Sequence, residues 1–92
     1  MILGSKQHTA GNSTRWRVDY SYWLDNTATI VDASVASSSA TCQVSESVVL
    51  GSVVTFFLLD GIAGETLTVN IVMTDSLGNI KRDTIMFTVV AP

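Results

Sequence analysis

Residues 64–90 read GETLTVNIVMTDSLGNIKRDTIMFTVV, and their pattern decides the fold class of the chain. Apolar side chains occupy alternate positions in both halves of this stretch; they are Leu67, Val69, Ile71, Met73, Ile85, Phe87 and Val89. A period of two residues is typical of β-strands with one buried face. Between the halves, Leu77-Gly78-Asn79 supplies residues that tolerate positive φ angles. We therefore predict a long antiparallel hairpin, whose apolar face needs a second sheet to cover it.

The rest of the chain carries further strand patterns separated by Gly, Ser, Asn and Asp, and these lie at residues 16–22, 29–37, 41–50 and 53–59. About six or seven short strands with such turns are typical of an immunoglobulin-like sandwich. We therefore predict an all-β fold, an immunoglobulin-like antiparallel β-sandwich of about six to seven strands with an extended N-terminal arm.

Residues 1–15 form the predicted arm, and residues 16–92 form the predicted sandwich. The arm is polar except for an apolar tip of Met1, Ile2 and Leu3, and it shows no period. We expect it to have no regular structure by itself. Two interpretations are open: the tip docks on a neighbouring subunit in an assembly, or the arm is a disordered terminus.

The composition of the chain indicates which classes of binding partner it favours. Only 14% of the 92 residues are charged, the formal net charge is −3, and the mean hydropathy is +0.38. So few charges indicate either surface buried in an assembly or a small β domain rich in surface Thr and Ser. An acidic chain argues against direct nucleic-acid binding. No apolar run is long enough for a membrane helix, and no signal peptide is present, so we expect synthesis in a cytosol and no membrane partner.

No motif for chemistry is present. His8 is the sole histidine and lies in the arm, where we expect a surface residue without a catalytic role. Cys42 is the sole cysteine, which we expect to be a small buried hydrophobe. The aspartates lie at predicted strand ends or turns, and none follows the spacing of a calcium loop. We predict no catalytic, cofactor or metal site, and no enzyme.

One predicted strand, residues 53–59, is apolar on both faces. Because a two-layer sandwich buries each sheet on one face only, one of these faces is surplus to the core. We predict that Val54, Phe56 and Leu58, or whichever face lies outward, pack on another protein. The alternative is cover by the arm or a loop of the same chain. Trp23 and Leu24, at the end of the aromatic-rich segment, are further interface candidates.

The order of several motifs resembles that of fibre–tail adaptor proteins from tailed bacteriophages and prophages, over nearly the whole chain. The matching motifs are LGSK (3–6), RVDYSYWL (17–24, like the family's φ-Asp-φ-Ser-x-Trp-Leu), TI (29–30), LDGIAGE (59–65) and DSLG (75–78). Asp60 and Ile62 depart from the Ser and Gly that the family has in its turn, and the arm lacks the acidic Pro-x-Glu element common there.

The resemblance implies a structural virion protein of immunoglobulin-like fold. It would be made in the bacterial host cytoplasm and would join tail or neck proteins (adaptor or nozzle) to tail fibres, with copies of itself around the tail axis. Two alternatives are open. One is a capsid decoration (cement) protein, whose copy number follows the capsid lattice. The other is an immunoglobulin-like carbohydrate-binding module, which needs exposed aromatics in a row, for which Trp16, Tyr20 and Tyr22 alternate suitably.

Overall fold

Seven β-strands supply the regular structure in residues 2–25 and 27–92, the part of the chain that the computed structural model describes. The strands are β1 Ile2–Thr9, β2 Ser13–Asp19, β3 Ile30–Ser37, β4 Cys42–Leu50, β5 Val53–Asp60, β6 Thr66–Asp75 and β7 Ile80–Val90. The Val-, Ile-, Thr- and Phe-rich composition of these segments suits the pleated, half-buried surface of a sheet.

The strands form two sheets, a four-stranded sheet in the order β1-β7-β6-β3 and a three-stranded sheet in the order β2-β5-β4. All neighbours are antiparallel except β1 and β7, which are parallel. The order resembles that of an immunoglobulin constant-type domain with its first strand moved beside its last. The predicted β-sandwich is therefore confirmed, with one parallel pair.

The predicted hairpin is β6 and β7, in which Leu67 pairs with Phe87 and Val69 pairs with Ile85. All seven predicted core residues of this hairpin are buried. Asp75 closes its turn, because Oδ1 accepts hydrogen bonds from the backbone N–H groups of Leu77 (3.0 Å) and Asn79 (2.8 Å). This confirms the turn function expected for an aspartate at a strand end.

The core lies between the two sheets. The Trp16 ring of the three-stranded sheet meets the Phe87 ring of the other edge-on, with ring centroids 5.0 Å apart. Cys42 is fully buried, as expected. Burial raises the pKa of its thiol, and the nearby Glu65 and Asp60 carboxylates raise it further. The thiol is therefore a packing group and a poor nucleophile.

Glu65 ties two loops together at one end of the sandwich. Its carboxylate accepts hydrogen bonds from the hydroxyls of Ser39 and Thr41, in the β3–β4 connection, and from the Ile62 backbone N–H, in the β5–β6 turn. The hydrogen bonds from Ser39 and Thr41, followed by that from Ile62, hold the pKa of Glu65 below its ordinary value. The folded protein therefore favours the ionised carboxylate.

The expectation that residues 1–15 have no regular structure is wrong for Ile2–Thr9, which form β1, and for residues 13–15, which begin β2. This strand pairs with β7 from Ile2↔Thr84 to Thr9↔Val90, so it supplies partners for the backbone groups along one edge of β7. His8 is buried instead of exposed, and its Nε2–H donates to the Asp60 carbonyl over 2.9 Å. Docking of the arm on a neighbouring subunit stays a prediction.

A candidate protein-interaction groove between two edge strands

A groove lies between β1 and β2, the edge strands on one side of the sandwich. It consists of two adjoining cavities of about 260 Å³ each, which share Leu3, Val18 and Asp19 as lining residues. We call it the β1–β2 groove; the other residues that line it are Lys6, Trp16, Arg17, Tyr20, Tyr22, Trp23, Lys81, Asp83 and Ile85.

Four apolar side chains form part of the groove lining, next to the charged Asp19, which lines both cavities. Leu3, Trp16 and Val18 are partly buried and pack against the core cluster, while Ile85 is a buried member of that cluster. These side chains are therefore held in place by the core, yet each also faces the groove. A fixed apolar floor of this kind suits the side chains of another polypeptide.

A buried polar network fixes one end of the groove. The Tyr20 hydroxyl donates to Asp83 Oδ2 over 2.9 Å, and Lys81 Nζ lies 3.0 Å from Asp83 Oδ1. Lys81 Nζ also lies 5.7 Å from the centroid of the Trp23 ring, within range of a cation–π interaction. Burial, and then the hydrogen bond to Asp83, raise the pKa of Tyr20, so its phenol stays a protonated donor. The network connects the core to Trp23.

Trp23 lies in a tight turn that follows β2. The backbone N–H groups of Trp23 and Leu24 both donate to the Tyr20 carbonyl, over 3.0 and 3.1 Å. Trp23 is 39% exposed, while Leu24 is partly buried and packs on the core. Strand β2 ends at Asp19 instead of continuing to residue 22, so Tyr22 leaves the sheet and is 99% exposed.

The predicted interface residues do not form one continuous surface in the structure. Leu3 and Trp23, distant in sequence, line the same groove. Leu24 packs against the core and does not line either cavity of the groove. Met1 lies outside the described residues, and so does the side chain of Ile2.

The interface prediction for Val54, Phe56 and Leu58 is wrong, because all three are fully buried in the core. The register of β5 with β2 pairs Phe56 with Trp16 and Val54 with Val18, which places them on the inner face of the three-stranded sheet. Periodicity alone does not choose between the two faces of a strand that is apolar on both.

The other face of β5 points outward and carries Val53, Phe57 and Leu59, which are partly buried. Val48 and Leu50 of β4 are paired beside this row and are 46% and 58% exposed. Arg15 and Arg17 of β2 flank the row on its other side, and both are exposed. We call this surface, defined by Val48, Leu50, Val53, Phe57 and Leu59, the β5 outer face.

The network of Tyr20, Lys81 and Asp83 was not predicted from the sequence. A signal was present: Asp83 continues the alternation of Ile85, Phe87 and Val89 and so occupies an inward position. A carboxylate at such a position needs partners from the core. The row of exposed aromatics that the alternative of a carbohydrate-binding module needs does not form, because Trp16 packs on Phe87 and Tyr20 is buried.

Within residues 2–25 and 27–92, no group of three or more His, Cys, Asp or Glu side chains is arranged to hold a metal ion. The same part of the chain contains no helix of the length and apolar character needed to cross a membrane.

A known family matches most of the chain. The family model described as "Podophage GP4 fiber-tail adaptor protein gp77" matches residues 8–88, from the buried His8 to within two residues of the end of β7. The match includes the whole of β2, the strand that forms one wall of the groove. A comparison with curated proteins found no match.

Proposed function

The chain belongs to the podophage GP4 fiber-tail adaptor family, and on that premise we propose that it joins tail or neck proteins to tail fibres through protein–protein contacts. The family is one of structural phage adaptors, so the role is structural and the protein is a virion component. The match over residues 8–88 is the single observation that carries the proposal.

An adaptor holds two partners at once and therefore needs two surfaces. The β1–β2 groove offers an apolar floor together with charged residues in its lining. The β5 outer face offers a second apolar surface, on the broad side of the three-stranded sheet. The outward residues of β5 are Val53, Phe57 and Leu59, so these are the residues of that strand that we propose to pack on another virion protein. Copies of the chain around the tail axis would repeat both contacts, and we propose no catalytic activity.

Trp23→Ala tests this function in purified phage particles. The exposed part of the indole contributes to the groove and little to the core, so the variant should fold while incorporation into particles falls. Ile62→Ala is the matched control. Ile62 is also an exposed large apolar residue, but it lies in the β5–β6 turn, at the opposite end of β7 from Lys81.

Quantitative mass spectrometry of the particles measures the outcome. We expect Trp23→Ala to reduce the copies of the chain per particle at least about tenfold, the effect of losing about 1.4 kcal/mol of binding. Ile62→Ala should leave the copy number unchanged. Wild-type incorporation of Trp23→Ala, or a copy number that follows the capsid lattice, as for a decoration protein, would contradict the proposal.

A further inference from the structure

Strand β2 differs from the other edge strands of the sandwich. The pairings of β1, β3 and β4 each contain a register irregularity, between Ile2 and Gly4, between Ile30 and Asp32, and between Ser45 and Val48. Such bulges discourage the addition of another strand at an edge. The pairing of β2 with β5 is continuous from Ser13 to Asp19, and β2 contains no proline. Strand β2 is therefore an edge suited to strand addition.

Hydrogen bonds at the two ends of the β2–β5 ladder show which backbone groups point away from β5. The Tyr20 N–H donates to the Ser52 carbonyl over 2.8 Å, and the Asp60 N–H donates to the Asn12 carbonyl over 3.0 Å. Even-numbered positions of β2 therefore form the hydrogen-bonded pairs with β5, because such pairs alternate in an antiparallel ladder. The outward N–H and C=O groups belong to Ser13, Arg15, Arg17 and Asp19.

These groups recur at every second residue, about 7 Å apart, which matches the repeat of another extended backbone. A strand added here would place one set of its side chains beside Arg15 and Arg17. Its other set would lie beside Trp16 and Val18, over the apolar floor of the β1–β2 groove. One face of the incoming strand would therefore lie beside charged side chains and the other face beside apolar side chains.

Charge then selects the occupant. Arg15, Arg17 and Asp19 are exposed on the same face of the edge strand, so carboxylates on the incoming strand would be favourable opposite the two arginines and unfavourable opposite Asp19. A second copy of β2 centred antiparallel on Trp16 would instead place Arg15 opposite the other copy's Arg17. Like charges directly opposite destabilise a strand pair, so the charges disfavour this self-pairing.

We propose that β2 accepts an extended segment of another polypeptide, with carboxylates at alternate positions and apolar residues between them. The segment pairs with β2, lengthens the β2-β5-β4 sheet and fills the β1–β2 groove. This is recognition by strand addition, in which the backbone ladder gives affinity and the alternate side chains give specificity. The inference rests on the proposed function, because it names the kind of segment by which a virion partner attaches.

A nine-residue peptide of alternating valine and glutamate, capped at both ends, is the probe, and its lysine-for-glutamate counterpart is the control. Amide hydrogen exchange of the full chain is followed by nuclear magnetic resonance. We expect the glutamate peptide at saturation to slow exchange of the Arg15 and Arg17 amides at least about tenfold. The Trp16 and Val18 amides already bond to β5 and should change little. The lysine peptide should protect none of them.

The double variant Arg15→Glu and Arg17→Glu keeps the backbone hydrogen bonds of β2 but reverses the charge of the side chains at these two positions. We expect it to bind the glutamate peptide at least about tenfold more weakly than the wild type and to prefer the lysine peptide. The double glutamine variant removes the charges without adding new ones, and it should bind the two peptides equally. Unchanged protection of the Trp16 and Val18 amides verifies that each variant is folded.

Three results would each overturn the inference: no protection of Arg15 and Arg17 by the glutamate peptide, equal binding of both peptides to the wild type, or protection that rises with chain concentration without peptide, which indicates self-pairing. The particle experiment separates this inference from the proposed function. If the chain is present at the tail but the peptide does not protect the β2 edge, the proposed adaptor function stands and the strand-addition inference fails. If the chain binds the peptide but is absent from particles, the proposed adaptor function fails.

Discussion

Phe56 and Phe57 are neighbours on β5 with opposite orientations, and replacing each with alanine tests the assignment of the two faces. Phe56 is fully buried between the sheets. Removing a buried Phe side chain to Ala costs about 3–5 kcal/mol, because apolar burial is lost and a cavity remains. A domain of 92 residues has a free energy of unfolding of about 5–14 kcal/mol. Phe56→Ala should therefore remove a large fraction of the stability.

Phe57 is partly exposed and belongs to the β5 outer face, so its removal leaves no closed cavity. We expect Phe57→Ala to cost about 1–2 kcal/mol. Urea unfolding of both variants, followed by tryptophan fluorescence and circular dichroism, measures the difference. Trp16 is a suitable reporter because it contacts Phe87 across the core. If Phe57→Ala costs as much as Phe56→Ala or more, the register of β5 is shifted by one residue and the assignment of the faces fails.

Three further substitutions test the loops and the groove. Gly61 has φ +103° and a Cβ there would lie 3.1 Å from Val89 Cγ1, so Gly61→Ala should lower stability by about 1–3 kcal/mol in thermal unfolding. Gly64→Ala (φ +95°, open space around the Cβ) should cost less, and equal costs would contradict the role of the close contact. The pKa of Glu65 is lowered chiefly by the Ser39 hydroxyl, so its carboxylate adds stability that is complete above about pH 4.5 and declines as the pH falls through the folded-state pKa. Glu65→Gln should therefore make the unfolding midpoint depend less on pH across that acidic range. An unchanged pH dependence of the midpoint would refute this. Tyr20→Phe leaves the buried Asp83 carboxylate one donor short and should cost about 1.5–3 kcal/mol in urea unfolding; a neutral result would show that the network does not stabilise the fold.

The hairpin and the sandwich were predictable because their signal is local. Alternation over β6 and β7 reports which side chains face the core, and Leu77-Gly78-Asn79 marks the turn. Bulges interrupt such reasoning. The alternation groups Val31 with Ala33 and Val35 on one face, but the irregularity between Ile30 and Asp32 leaves Val31 exposed and buries Ile30 instead.

Strand β1 was not predictable from local pattern, because its stability comes from pairing with β7 at the other end of the chain. Of its described side chains only His8 is buried, so no apolar alternation marks the strand. The inner face of β5 likewise depends on its register with β2 and β4, which periodicity does not contain.

The candidate site was predictable as separate residues and not as a groove. The apolar tip and the aromatic segment each indicated an interface, and Leu3 and Trp23 do line one cavity. Their proximity depends on the docking of β1 beside β7 and on the turn after Tyr20, which are both tertiary features. Asp83, at an inward position of β7, was the one local sign of the polar network that supports Trp23.

Lysine-directed cross-linking of purified particles tests whether the chain contacts tail or fibre proteins through the β1–β2 groove. Lys6 and Lys81 are the only lysines of the sequence, and both line the β1–β2 groove. If the chain is an adaptor that uses this groove, cross-linked peptides containing Lys6 or Lys81 should join it to a tail or fibre protein. Cross-links from these lysines to the major capsid protein alone, or particles that contain the chain but yield no such cross-links to tail or fibre proteins, would show that this groove is not the contact surface of an adaptor.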